Sequence, residues 1–161
     1  GKRNGKINES FIAKPIIPYP ISKLKLLESI LHLKKKRNFK FTWLRPFFVF
    51  GKNKKRKTLF TIIKNAKKNE LSKLKLPGNI VRDFLPVSFV SKTILRLIIL
   101  NNNYGILNIC SGKGISLNNF VKKNIKNKKN VKLINMNGKN PNEFEPKSFW
   151  GDNSKLKRII Y

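Results

Sequence analysis

Phe39-Lys40-Phe41-Thr42-Trp43-Leu44-Arg45-Pro46-Phe47-Phe48-Val49-Phe50-Gly51 is rich in aromatic and β-branched residues. It is too apolar for a strand with one wet face. It reads as a strand buried on both faces, as in a parallel sheet, and Gly51 ends it. Before it, Leu24, Leu27, Ile30 and Leu31 have helical spacing, predicting a helix over residues 20–36. Pro20 suits the first turn of that helix, and the basic cluster at 34–37 complements its C-terminus. Residues 1–18 read as a loop. After Gly51 come a basic loop at 52–57, a helix at 59–68 and a turn at Pro77-Gly78-Asn79. A short strand at 80–87, a helix at 90–100 and a strand at 105–109 follow. Ser116 is an apt N-cap for a helix over 117–125. Residues 131–136 read as a further strand, and a short helix closes the tail. Strands alternating with helices imply an α/β protein.

At 161 residues, 40% of them apolar, the chain can form a real core. Its 37 basic and 7 acidic residues give a formal charge of +30. Such a charge first suggests a nucleic-acid or anionic-surface binder. The composition argues otherwise. There are 30 Lys, 21 Asn and 19 Ile, but 2 Ala and no Gln. The enriched residues have A/T-rich codons, so an A/T-rich genome accounts for the bias without a polyanionic partner. Lys also outnumbers Arg about four to one, whereas specific phosphate recognition favours the guanidinium fork.

Cys110 is the single cysteine. It reads as a small core residue and suits a reducing, cytoplasmic setting. The single histidine, His32, lies mid-helix, so a Cys–His catalytic pair is not expected. No metal-ligand cluster is visible. The longest apolar run, 94–100, holds Arg96 and is far shorter than the ~20 residues a bilayer needs. The chain begins with Gly1, as a processed product or a fragment would.

Tyr19 and Lys23 stand four apart at the start of the first helix, so they share a face. A cation held beside a phenol favours the phenolate. Such a tyrosine can exchange a proton with a substrate hydroxyl or carbonyl, and the lysine can donate to ligand hydroxyls. The spacing alone equally fits a tyrosine in a Pro-rich loop followed by a solvated lysine.

Five segments, in order, resemble the NAD-dependent epimerase/dehydratase family, the extended short-chain dehydrogenases. Residues 15–23 resemble the Pro-rich approach to its Tyr-x-x-x-Lys helix. Residues 44–51, Leu-Arg-Pro-Phe-Phe-Val-Phe-Gly, resemble its Leu-Arg-x-x-Asn-Val-Tyr-Gly strand. Residues 78–87 are similar to its Arg-Asp-Phe/Tyr segment. Residues 105–116 are similar to its Tyr-Asn-Ile-Gly-x-Gly-x-x-x-Ser stretch, and 150–155 to its Gly-Asp-x-Ser-Lys tail. The resemblance implies the C-terminal portion of a Rossmann-like parallel sheet plus a small substrate-binding α/β subdomain. Residues 1–58 would end the Rossmann-like domain, and 59–161 would be mainly the subdomain.

It also implies roles. Tyr19 would be the catalytic acid/base. Lys23 would hold the nicotinamide ribose and lower the phenol's pKa. Pro46 and Phe47 would line the nicotinamide end of NAD or NADP. Arg82 would contact the diphosphate of a nucleotide sugar, and Asn108 would lie near it. Arg82 could instead form a surface ion pair with Asp83, and Asn108 could be a turn amide bound to backbone. Residues 111–114 lack full phosphate-loop spacing and would form an ordinary loop. A homodimer through the first helix is compatible with Lys25, Leu26 and Ser29.

The chain departs from the family pattern too. It has no Gly-x-x-Gly-x-x-Gly turn and no acidic residue placed to hold an adenosine ribose, so it resembles the second half of such an enzyme. Phe48 stands where many members have a substrate-contacting Asn. The functional expectation is an NAD(P)-dependent nucleotide-sugar epimerase, dehydratase or reductase. The alternatives are an inactive remnant of one from a decaying or split gene, and a basic nucleic-acid-binding protein. A gel shift at ~150 mM salt separates the last reading, because purely electrostatic complexes dissociate there. No retained complex is expected, and a persistent one would restore it.

Overall fold

The computed structural model describes residues 4–52, 58–139 and 146–161. The basic run at 52–57, apart from Lys52, lies outside the described residues, as do Gly1 and most of the Pro/Glu-rich tail loop. The chain forms β1 (Gly5–Ile7), α1 (Pro18–Lys36), β2 (Thr42–Pro46), β3 (Phe48–Phe50), α2 (Leu59–Asn65) and α3 (Lys68–Ser72). Then come β4 (Val81–Arg82), β5 (Phe84–Pro86), α4 (Val87–Leu100), β6 (Gly105–Ile109), β7 (Ile115–Ser116) and α5 (Leu117–Asn124). A 3-10 turn (Lys128–Leu133), β8 (Phe149–Gly151) and α6 (Ser154–Ile160) complete the described elements. The fold is α/β. Strands β1 and β8, β2 and β6, and β3 and β5 pair in parallel, while β4 and β7 pair antiparallel.

The stretch read as one strand is two. Phe47 N–H donates to the Ile109 carbonyl at 3.1 Å, and the next amide, Phe48 N–H, donates to the Asp83 carbonyl at 3.0 Å. Successive amides thus serve different neighbours, and the chain crosses from β6 to β5. The strand is half-buried rather than buried on both faces, with Pro46 and Val49 exposed. Among the described residues, β2 pairs only with β6, so one edge and part of its faces stay open. The expected strand at 80–87 also divides, at Asp83, and α4 begins at Val87 instead of Val90.

Two further expectations fail. Residues 1–18 are not all loop, because β1 pairs with β8 across the length of the chain. Residues 131–136 do not form a strand. The Asn127 side chain accepts from Lys129 N–H at 3.0 Å, and the Lys128 ammonium caps the carbonyls of Lys122 and Lys123 at the end of α5. These bonds draw the backbone into a 3-10 turn. The Ser116 cap is present, its hydroxyl accepting from Asn119 N–H at 3.2 Å. At the end of α4, Asn101 adopts the left-handed φ of 44° that closes many helices.

Two apolar cores result. One joins Ile63, Leu71, Phe120, Val121 and Ile134 beneath α2, α3 and α5. The Phe50, Phe60, Phe84 and Phe120 rings knit it, with Phe84 stacked on Phe120 at 4.0 Å. The other joins Leu85, Leu97, Leu107, Ile109 and Leu156 between β5, β6, α4 and α6.

Asp83 links the parts. It is buried, and its carboxylate accepts from the N–H groups of Ser111 at 2.9 Å, Gly112 at 3.0 Å and Gly151 at 3.3 Å. Gly112 has φ +80°, and a Cβ there would meet the Asn153 side chain at 2.7 Å. The loop therefore fits only with a glycine folded around that carboxylate. Asp83→Ala would strand three amide donors, the Gly151 one buried and the other two half-buried, and should destabilise the chain by about 2–4 kcal/mol. Urea unfolding measures this, and a change under about 0.5 kcal/mol would show that Asp83 does not hold the loops.

Candidate functional site

In open α/β sheets, ligands lie outside the C-terminal ends of parallel strands. Here that position, at the ends of β2 and β6, holds a cleft of about 340 Å³. Phe11 and Ala13, from the segment after β1, form one wall. Pro46, Phe47, Phe48 and Phe149 form the other, and Arg45 and the buried Asn108 complete the lining. The lining is largely aromatic.

Three residues singled out from sequence, Pro46, Phe47 and Asn108, meet in this cleft. Asn108 sits inside β6, not in a turn. Its backbone N–H donates to Glu9 Oε1 at 3.0 Å, and its Nδ2 donates to the Ile7 carbonyl at 3.0 Å. Its Oδ1 is buried with no hydrogen-bond partner.

Tyr19 and Lys23 are together but do not line the cleft. Both lie in the first two turns of α1, and the Lys23 ammonium stands over the Tyr19 ring, 5.6 Å from its centroid. Contacts of this kind at exposed sites contribute about 0.5–1 kcal/mol. Tyr19 is 71% exposed and stands outside the cleft.

Arg82 is neither on the surface nor open to the cleft. It is 1% exposed, and its guanidinium lies 4.6 Å from the Phe149 ring centroid and 5.3 Å from that of Phe48. Its Nη1 donates to the carbonyls of Val81 at 2.9 Å and Lys147 at 3.1 Å. The two rings that cover it belong to the cleft wall, so Arg82 stands behind that wall. Asp83 is equally buried, so a surface ion pair between them does not describe this place. The Ser111 and Gly112 amides are already taken by Asp83, in keeping with an ordinary loop rather than a phosphate cradle.

Sequence reading missed Glu9, Arg45 and Asp83 as determinants of this region. Arg45 Nη1 reaches the carbonyls of Phe11 at 3.3 Å and Glu9 at 3.4 Å. Burial lowers its pKa, and the Glu9 charge opposes that change. The Arg-Asp pair and the Leu-Arg pair were visible as letters, but nothing local shows that their partners lie 28 to 68 residues away or, for Arg45, in the N-terminal segment. Among the described residues, no three His, Cys, Asp or Glu side chains cluster to hold a metal. No described helix is long and apolar enough to cross a membrane.

Residues 1–110 match the sequence model of the NAD dependent epimerase/dehydratase family. No curated protein matches the chain. Its fold is similar to that of MoeE5, solved with UDP-glucuronic acid and NAD, at TM-score 0.74 and 20% identity over 99% of this chain and 54% of that one. It is similar to a UDP-N-acetylglucosamine 4-epimerase from Methanobrevibacter ruminantium, solved with UDP-N-acetylmuramic acid, at TM-score 0.76 and 21% identity over 96% and 51%. RMD from Pseudomonas aeruginosa, solved with NADPH, matches at TM-score 0.70 and 19% identity over 96% and 53%. The chain thus has the Rossmann-like fold of these proteins and spans about half their length.

Cys110, beside Phe47 and Gly151, offers a check on how closed this region is. Burial, with the Asp83 and Glu9 charges nearby, pushes its thiol from 9.0 up to about 12. The folded chain holds the proton more tightly than the unfolded one, so this contribution is full below pH 9 and declines as pH rises toward 12. Relative to Cys110→Ala, the chain should lose up to about 1.4 kcal/mol per pH unit across that window. Its thiol should also resist iodoacetamide at pH 9 until unfolded. Rapid alkylation of the folded chain would contradict this.

Proposed function

The chain belongs to the NAD-dependent epimerase/dehydratase family, and from that premise we propose that it forms the proton-transfer and substrate-binding part of an NAD(P)-dependent nucleotide-sugar epimerase, dehydratase or reductase. The observation that carries this reading is the Tyr19–Lys23 pair, an ammonium over an exposed phenol at the head of α1. Residues 1–58 would complete the dinucleotide-binding sheet, and 59–161 would supply mainly the substrate-binding subdomain. The open edge of β2 is where the rest of such a sheet would pair.

The residues present fit the nicotinamide-ribose end of the cofactor. Pro46 and Phe47 present an apolar wall to a flat ring, and Lys23 has three donors for ribose hydroxyls. When bound, the cofactor supplies the hydride acceptor and donor. The chain's own part is the proton. Tyr19 Oη would take it from, or return it to, the substrate oxygen, with the Lys23 ammonium held over the same ring. The wall of Phe47, Phe48 and Phe149 would keep water from the reacting carbon. Asn108 would lie beside the sugar, and Arg82, behind Phe48 and Phe149, would hold the wall that the diphosphate meets. Helix α1, whose Leu26, Leu31 and Leu33 are exposed, would be the dimer contact.

Tyr19→Phe in the enzyme containing this chain should lower turnover by roughly 100- to 10,000-fold while nucleotide-sugar binding by calorimetry persists. Unchanged turnover would remove Tyr19 from the mechanism.

A further inference from the structure

Arg45 and Asn108 face each other in register on β2 and β6. Both reach the same segment, residues 7–11. Arg45 Nη1 donates to the Glu9 and Phe11 carbonyls, Asn108 Nδ2 donates to the Ile7 carbonyl, and Glu9 Oε1 accepts from Asn108 N–H. Four hydrogen bonds therefore sew this segment across the ends of the two strands. Ser10 and Asn8 bond to each other within it, Ser10 Oγ to Asn8 Oδ1 at 2.8 Å, so it has its own local shape.

The position of the segment has two consequences. It carries Ile7 and Phe11, which face Pro46, Phe47 and Phe149 across the cleft, so the four bonds set the cleft's width. It also leads into α1. The linker from Ala13 contains Pro15, and Pro18 and Pro20 open the helix itself, each with a fixed φ. The N-cap of α1, Ile17, has no side-chain cap bond. The place of that end of the helix therefore depends on the segment that leads into it.

We propose that Glu9 and Arg45 are positioning residues for the reaction described above, holding the cleft wall and the head of α1 so that Tyr19 meets the substrate at bonding distance. This rests on the proposed role of Tyr19. Neither side chain touches the reacting atoms. Each ties the segment to the strands, Arg45 through the segment's carbonyls and Glu9 through the Asn108 N–H of β6. The dependence is geometric, so it should be visible in the chemical step more than in substrate binding.

The test uses Glu9→Ala and Arg45→Met in the cofactor-loaded enzyme containing this chain, with Glu9→Gln and Arg45→Lys as conservative partners. Gln keeps an acceptor for Asn108 N–H, and Lys keeps a donor for one carbonyl. Glu9→Ala and Arg45→Met should lower kcat by roughly 10- to 100-fold with a smaller change in KM, and the conservative variants should recover part of it. Hydrogen exchange should quicken at the amides of Asn108 and Ile21 and stay unchanged at Ile63 and Phe120. An unaltered kcat would overturn the proposal. So would equal losses in all four variants, or faster exchange throughout the core, since either marks a purely structural role. If Arg45→Met does not fold, Glu9→Ala carries the test. If Tyr19→Phe keeps full turnover, the role of Tyr19 fails, and the exchange at Asn108 and Ile21 still decides whether the four bonds place the helix.

Discussion

The parallel pairing of β2 with β6 is the constraint from which the rest follows. It sets Trp43 beside Ile106, Arg45 beside Asn108, and Pro46 beside Ile109. A shift of one residue would send each side chain to the opposite face and separate Arg45 from Asn108. The outer edge of β6 is sealed by side chains. Glu9 takes the Asn108 amide, and the Lys155 ammonium takes the carbonyls of Tyr104 and Ile106, each at 2.7 Å. Sealing an edge in this way stops further pairing. The β2 edge is not sealed among the described residues, so the sheet has one direction in which to grow.

Asp83 does for the loops what this pairing does for the strands. A carboxylate out of water is costly unless it is fully bonded, and three backbone amides meet that need. In return β8 is held against Phe47 and Phe48, and the 111–114 loop against Asn153 and Trp150. The Arg82 guanidinium, next in the chain, is flanked by Phe48 and Phe149. Arg82 and Asp83 thus brace the cleft wall from behind, one through rings and the other through amides.

Much of this was legible from residue patterns. The apolar run after α1, the helical spacing of α1 and α4, and the Ser116 cap all follow from local chemistry, and the order of five short segments carried the family. What escaped depends on partners far along the chain. The break at Phe47 arises because two successive amides serve β6 and then Asp83. The pairing of β1 with β8 spans nearly the whole chain, and in the sequence nothing but Gly5, its first residue, marks β1. The 3-10 turn replaced a strand because Asn127 and Lys128 bond locally, which the apolar letters Val131, Leu133 and Ile134 conceal. For the site, Pro46, Phe47 and Asn108 line one cleft. The ring sandwich around Arg82 and the tie through Glu9 needed three dimensions.

The account centres chemistry on the ends of β2 and β6 rather than on the basic surface. Backbone NMR of the labelled chain titrated with UDP-glucose at ~150 mM salt tests this most directly. The account predicts shifts concentrated at Phe47, Phe48 and Asn108, with a smaller response at Tyr19 and Lys23. Shifts confined to the lysines at 34–36 and 122–129, with the cleft silent, would contradict it.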